Sequence, residues 1–161
     1  AAASVLRCSP LSRALGPTLN IKFGVCKMEL VAQYSASVLV LGLTGVLFFI
    51  QLLVADVIGI KRCHIPGTFV DEGHESFLFR SSRAFANSNE TVGILVLFML
   101  FSILSSANPT WVNGFAIVYL AGRIGHMVFY YVNLQLMRSV SFVVSAIGLL
   151  GVFVAGLLRW L

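Results

Sequence analysis

The chain has 161 residues, 58% of them hydrophobic and only 11% charged, with a mean hydropathy of +0.95. Those values exclude an ordinary water-soluble domain and point to one integral membrane bundle with no separate soluble domain. The formal charge of +5 is a weak guide, because Arg7, Arg13, Lys22 and Lys27 all precede Met28 in a stretch without acids, leaving 7 basic and 6 acidic residues in 28–161. A nearly neutral remainder with no basic patch beside a recognition module excludes nucleic acid as a partner.

Residues 1–27 carry Pro10, Gly16 and Pro17 and faintly resemble a transit peptide. They are set outside the functional domain, which is taken as residues 28–161 with Met28 as its start. Cys8, Cys26 and Cys63 show neither metal-ligand spacing nor a CxxC pair, so no metal site or disulfide framework is expected.

The first span is expected over about residues 34–59, with a core over 38–55 that is apolar apart from Gly42, Thr44, Gly45 and Gln51, residue types that allow close helix approach. Asp56, Lys61 and Arg62 mark its end, and a polar loop over 63–75 holds Pro66-Gly67 and three acids. The second span covers about residues 77–106. Its first half carries Arg80, Arg83, Asn87 and Glu90, and its second half is lipid-like. Ala107-Asn108-Pro109 makes a turn, with Trp111 suited to the membrane interface.

A third span is expected over about residues 112–136, carrying Arg123, His126, Tyr130 and Asn133 in its later half, with Tyr131 as a belt aromatic. Gln135, Leu136 and Met137 then make a very short connection to Arg138, and a fourth apolar span covers 139–158. Four spans place both ends of the bundle on one side. Lys61, Arg62 and Arg138 lie on the other, with Arg80 and Arg83 close to it, which assigns loops one and three to the cytoplasm.

Both polar sets follow i, i+3, i+7, i+10, and each therefore occupies an arc of about 80° on its helix. A charge at bilayer depth costs on the order of 3 kcal/mol unless it meets a partner or a wet cavity. A cavity lined by Arg80, Arg83, Arg123 and Arg138 against the single acid Glu90 has surplus positive charge and suits a ligand bearing carboxylates or phosphates. Glu90 would accept from an amine on that ligand or pair with a wall arginine. Tyr130, Asn133 and Ser139 supply neutral hydrogen bonds. Competing readings are that Arg80 and Arg83 snorkel to the headgroups, that His126 is a satisfied core histidine, and that Arg138, Lys61 and Arg62 are topology signals.

The order Arg80-x-x-Arg83-Ala84-x-x-Asn87-x-x-Glu90, then Arg123-x-x-His126-x-x-x-Tyr130, then Arg138-Ser139-Val140-Ser141-Phe142 resembles the family of membrane-associated proteins in eicosanoid and glutathione metabolism (MAPEG) over about residues 30–161. Within it the chain is most similar to the branch of microsomal glutathione transferase and microsomal prostaglandin E synthase. The resemblance implies an all-α four-helix membrane protomer in a homotrimer, with glutathione held between subunits and a lipophilic substrate arriving from the lipid. It implies a membrane-bound glutathione transferase, with peroxidase action on lipid hydroperoxides as a further activity, in a bacterial inner membrane or the endoplasmic reticulum. A non-catalytic lipid-binding or scaffold protein of the same fold is the alternative.

Carried onto this chain, Arg83, Asn87 and Glu90 would bind the carboxylates and amine of glutathione, with Arg80 a weaker member. His126 and Tyr130 would add contacts, and Arg123 is either a binding or a structural arginine. Arg138 would stabilise the thiolate and Ser139 would hydrogen-bond it. An adjacent guanidinium in a partly dry site can bring a thiol from its usual pKa of about 8.5 to about 7 or below. Ala86 stands where prostaglandin E synthase has a further basic residue, the turn before Arg138 is one residue shorter, and Phe142 replaces a tyrosine. These departures favour a general transferase over a dedicated isomerase.

Overall fold

The computed structural model describes residues 31–65 and 67–161; the set-aside stretch 1–27 and Met28 lie outside the described residues. From Tyr34 to Leu161 the chain is one compact unit of four long helices: α1 Ser35–Lys61, α2 Phe77–Leu104, α3 Pro109–Tyr131 and α4 Gln135–Leu157. Each is long and apolar enough to cross a bilayer. At 1.5 Å per residue, the shortest reaches about 35 Å against a hydrocarbon core of about 30 Å.

The partition of side chains is that of a protein solvated by lipid. Large apolar residues face outward, among them Leu39, Phe49, Leu97, Leu104 and Leu150, while Ser37, Thr44, Ser81, Ser88, Ser102, Ser141 and Ser145 are buried. Outside water, apolar surface gains nothing by hiding, so helices associate through close packing and internal hydrogen bonds. Ser102 Oγ donates to the Val152 carbonyl at 2.6 Å, joining α2 to α4. Ser37 Oγ donates to Asn113 Oδ1 at 2.7 Å, joining α1 to α3. The Tyr34 hydroxyl donates to the Ala107 carbonyl, tying the start of α1 to the α2–α3 turn.

Helices α3 and α4 approach most closely, because glycines remove the side chains that would hold them apart. A Cβ on Gly122 would lie 2.5 Å from the Ser145 backbone nitrogen, and one on Gly148 would lie 2.5 Å from that of Tyr119. This pair forms the rigid wall on which the polar layer is built.

Three helix ends share one device. After α1, α2 and α3 the chain enters the left-handed region at Cys63 (φ 52°), Ser106 (φ 53°) and Asn133 (φ 61°). In each case the next N–H reaches back five residues: His64 to Gly59, Ala107 to Ser102 and Leu134 to Phe129, at 2.9 to 3.0 Å. These are Schellman closures, here made without glycine. At the start of α3, Asn108 Oδ1 accepts from the Thr110 N–H at 2.9 Å with Pro109 in the first turn.

The third closure corrects the expected span boundaries. α3 stops at Tyr131, not near residue 136, and Gln135, Leu136 and Met137 open α4. Two apolar helices joined by three residues leave no dip in hydropathy, so the break is carried by backbone chirality at Asn133. Asn133 therefore lies beyond α3 and does not extend the Arg123-His126-Tyr130 face. Tyr131, the last residue of α3, is half-exposed, with its ring 5.4 Å from that of Phe77.

Candidate functional site

The polar layer begins with Arg123, a guanidinium only 1% exposed at mid-span in α3. Its fork is filled from α2: Nη1 donates to Asn87 Oδ1 at 2.9 Å and Nη2 to Ser88 Oγ at 2.6 Å. Asn87 and Ser88 are consecutive, about 100° apart on their helix, and the planar guanidinium is wide enough to meet both. The charge is thus held by neutral oxygens, and Glu90, one turn on, stays exposed on the protomer surface.

One turn past Arg123, His126 is 3% exposed and sets its ring edge-on to Tyr130, with centroids 4.9 Å apart at 67°. Tyr130 in turn supports Arg138 from α4, whose guanidinium carbon sits 4.3 Å from the phenol centroid. That distance is well inside cation–π range. Arg138 is four residues into α4, where the unpaired N–H groups of the helix start add positive potential. Its Nη1 lies 3.4 Å from Nδ1 of His74 in loop one.

Arg80 faces the same loop. Its Nη1 donates to the carbonyls of His74 at 2.6 Å and Glu75 at 2.9 Å, and its guanidinium lies 5.5 Å from the Phe77 ring. Arg80 thus acts within the protomer as a clamp on loop one. Arg83 is exposed, and Ser139 is exposed with its hydroxyl donating to the Gln135 carbonyl at 3.2 Å.

The fold therefore joins Asn87, Arg123, His126, Tyr130 and Arg138 in a continuous layer across α2, α3 and α4. It leaves Arg83, Glu90 and Ser139 on the outer surface of the protomer. Two buried nitrogens at this level, Arg123 Nε and His126 Nδ1, have no hydrogen-bond partner among the described residues. Such orphaned groups in a buried layer mark it as more than packing.

Three residues of this region were not singled out by the sequence pattern. Ser88 falls outside the i, i+3, i+7 stripe, although it immediately follows Asn87. His74 sits in a loop, where nothing local hints at Arg138, 64 positions away. Gln51 reads as a mildly polar residue of a lipid-facing span, yet it is fully buried with neither amide atom partnered among the described residues. Its signal was periodic: it lies seven residues after Thr44 and eleven after Val40, both on the buried face of α1.

Chemically, the layer and the outer surface beside it offer two arginines, Arg83 and Arg138, that are not spent on α2–α3 packing; Arg138 makes one long contact to loop one, at His74. Arg83 is exposed and Arg138 half-buried, with Glu90 as the nearby anion on α2. That set suits a ligand carrying carboxylates and an amine.

A family model, that of the MAPEG family, matches residues 36–158, which takes in nearly all of α1 through α4. No curated protein matches the chain. Four membrane-spanning helices, an arginine network bridging the second and third, and a family match over most of the sequence support the same conclusion: the chain belongs to the MAPEG family.

Proposed function

We propose that this protein is a membrane-bound glutathione transferase acting on lipophilic electrophiles, with lipid hydroperoxides as a further substrate class, and that it lies nearest the microsomal glutathione transferase and prostaglandin E synthase branch. The family includes glutathione transferases, which supports the class. The observation that carries the assignment is the placement of Arg138, held over the Tyr130 ring at the start of α4 with Ser139 beside it.

The residues fit glutathione by their chemistry. It carries two carboxylates, one amine and one thiol. Arg83 and Asn87 would take carboxylate oxygens and Glu90 the amine, with His126 and Tyr130 completing the wall. Arg123 supports this surface from within by fixing the Asn87 carboxamide. When bound, glutathione supplies the nucleophilic sulfur. Arg138 would stabilise the negative charge on that sulfur and Ser139 would turn its hydroxyl hydrogen toward it, away from the Gln135 carbonyl. Lipid-facing helices would admit the electrophile from the bilayer.

Arg83, Glu90 and Ser139 open outward at bilayer depth, and a neighbouring copy in a homotrimer would cover them. The basic residues Lys61, Arg62 and Arg138 at the loop ends support a cytoplasmic side for loops one and three, where glutathione would be abundant. The test is Arg138→Ala, assayed with a halogenated nitrobenzene in detergent. Loss of one preorganised stabiliser of transition-state charge should lower turnover about 100-fold or more, with glutathione binding retained. Unchanged turnover would remove Arg138 from the mechanism.

A further inference from the structure

The layer around Arg138 contains one group that no part of the proposed chemistry uses. His74, in the loop between α1 and α2, places Nδ1 3.4 Å from Arg138 Nη1. A guanidinium only donates, so this contact is a hydrogen bond in the tautomer that keeps the lone pair on Nδ1 and the ring proton on Nε2. The residue is itself held at two points, backbone and ring. Its backbone carbonyl accepts from Arg80 at 2.6 Å, and its ring stands edge-on to Phe79, 5.0 Å between centroids at 88°.

In that tautomer Arg138 is gripped on two sides by uncharged groups. The Tyr130 ring meets it at 4.3 Å, and the His74 nitrogen meets one terminal N–H. Neither neutralises it. A carboxylate in place of His74 would cancel the charge that a thiolate needs, while an aliphatic side chain would leave a long, flexible arginine free to turn toward headgroups. A neutral acceptor fixes the direction of the fork and keeps its full charge for a ligand.

We propose that His74 is a positioning residue for Arg138, and that loop one, clamped by Arg80, sets the orientation of the guanidinium toward the ligand sulfur. This rests on the glutathione reading of the site and extends it to a loop that lies outside the four helices. It also gives Arg80 a role, as the anchor of the loop.

The test uses the full chain in detergent with glutathione as the probe, reading binding by thermal shift and thiolate by ultraviolet difference absorbance. His74→Leu should cut the thiolate signal at saturating glutathione by about three- to tenfold, the scale of one ordinary hydrogen bond, as befits a contact of 3.4 Å. The glutathione Kd should stay nearly unchanged, because the peptide ends are held elsewhere. His74→Asn, which returns an acceptor near the place of Nδ1, should restore most of the signal. His74→Ala serves as a second deletion if the leucine variant does not fold.

A split between thiolate and Kd, with rescue by asparagine, would support the assignment. A thiolate signal that is strong in the wild type and unchanged in His74→Leu or His74→Ala would overturn it while leaving the transferase reading intact. Absence of thiolate in the wild type would overturn both.

Discussion

Arg123 is a buried charge with no carboxylate in contact with it among the described residues, and Asn87 and Ser88 fill its fork. Replacing it by Lys should be harmful, since one ammonium cannot reproduce two diverging N–H donors. We expect Arg123→Lys to cost roughly 1.5–3 kcal/mol, seen as a lower melting temperature in detergent. An unchanged melting temperature would show that the fork is dispensable. At this scale the sequence was informative where polar residues repeat on a helical face and silent elsewhere. Arg123, His126 and Tyr130 could be read from spacing because all three lie on one regular helix. Ser88, His74 and Gln51 could not, because their partners or their burial depend on how separate helices meet.

Among the elements, the α3–α4 contact decides how firmly Arg138 is presented to Tyr130. A Cβ at Gly148 would press on the backbone of Phe115 and Tyr119 at 2.8 and 2.5 Å, and backbone cannot rotate away as a side chain can. Gly148→Ala should therefore destabilise the bundle by about 1–3 kcal/mol. Gly114→Ala, on the same helix pair but with open space around it, should be neutral or gain up to about 1 kcal/mol from helix propensity. Melting both variants checks the contrast, and equal effects would deny the close approach its importance. The left-handed closure at Ser106 leads to the opposite kind of change. Ser106→Gly should stabilise by about 1 kcal/mol, because glycine adopts positive φ without a Cβ clash. The same closures explain why hydropathy located four spans but misplaced the end of the third: Asn133 turns the chain in three residues flanked by apolar side chains.

For the whole molecule, the inside-out distribution of polarity leaves a few polar side chains on the outer surface of the protomer. Arg83 and Glu90 are exposed charges and Ser139 an exposed hydroxyl on these apolar helices, and a charge left facing lipid costs up to about 3 kcal/mol at the bilayer centre. Association with further copies would remove that cost, so native mass spectrometry in mild detergent should give a homotrimer; a stable monomer would contradict it. The all-helical membrane architecture was legible in composition alone, since no soluble fold accommodates so much apolar surface. The site was legible only in part, because contacts such as Arg138 with His74 and Arg123 with Ser88 depend on how separate segments meet. The central claim, that this surface binds glutathione and activates its sulfur, is tested most directly by ultraviolet difference absorbance on the purified protein at neutral pH. A saturable thiolate signal on adding glutathione, abolished in Arg138→Ala, is the expected result. Saturable binding without any thiolate would contradict it and favour a non-catalytic lipid-binding protein of the same fold.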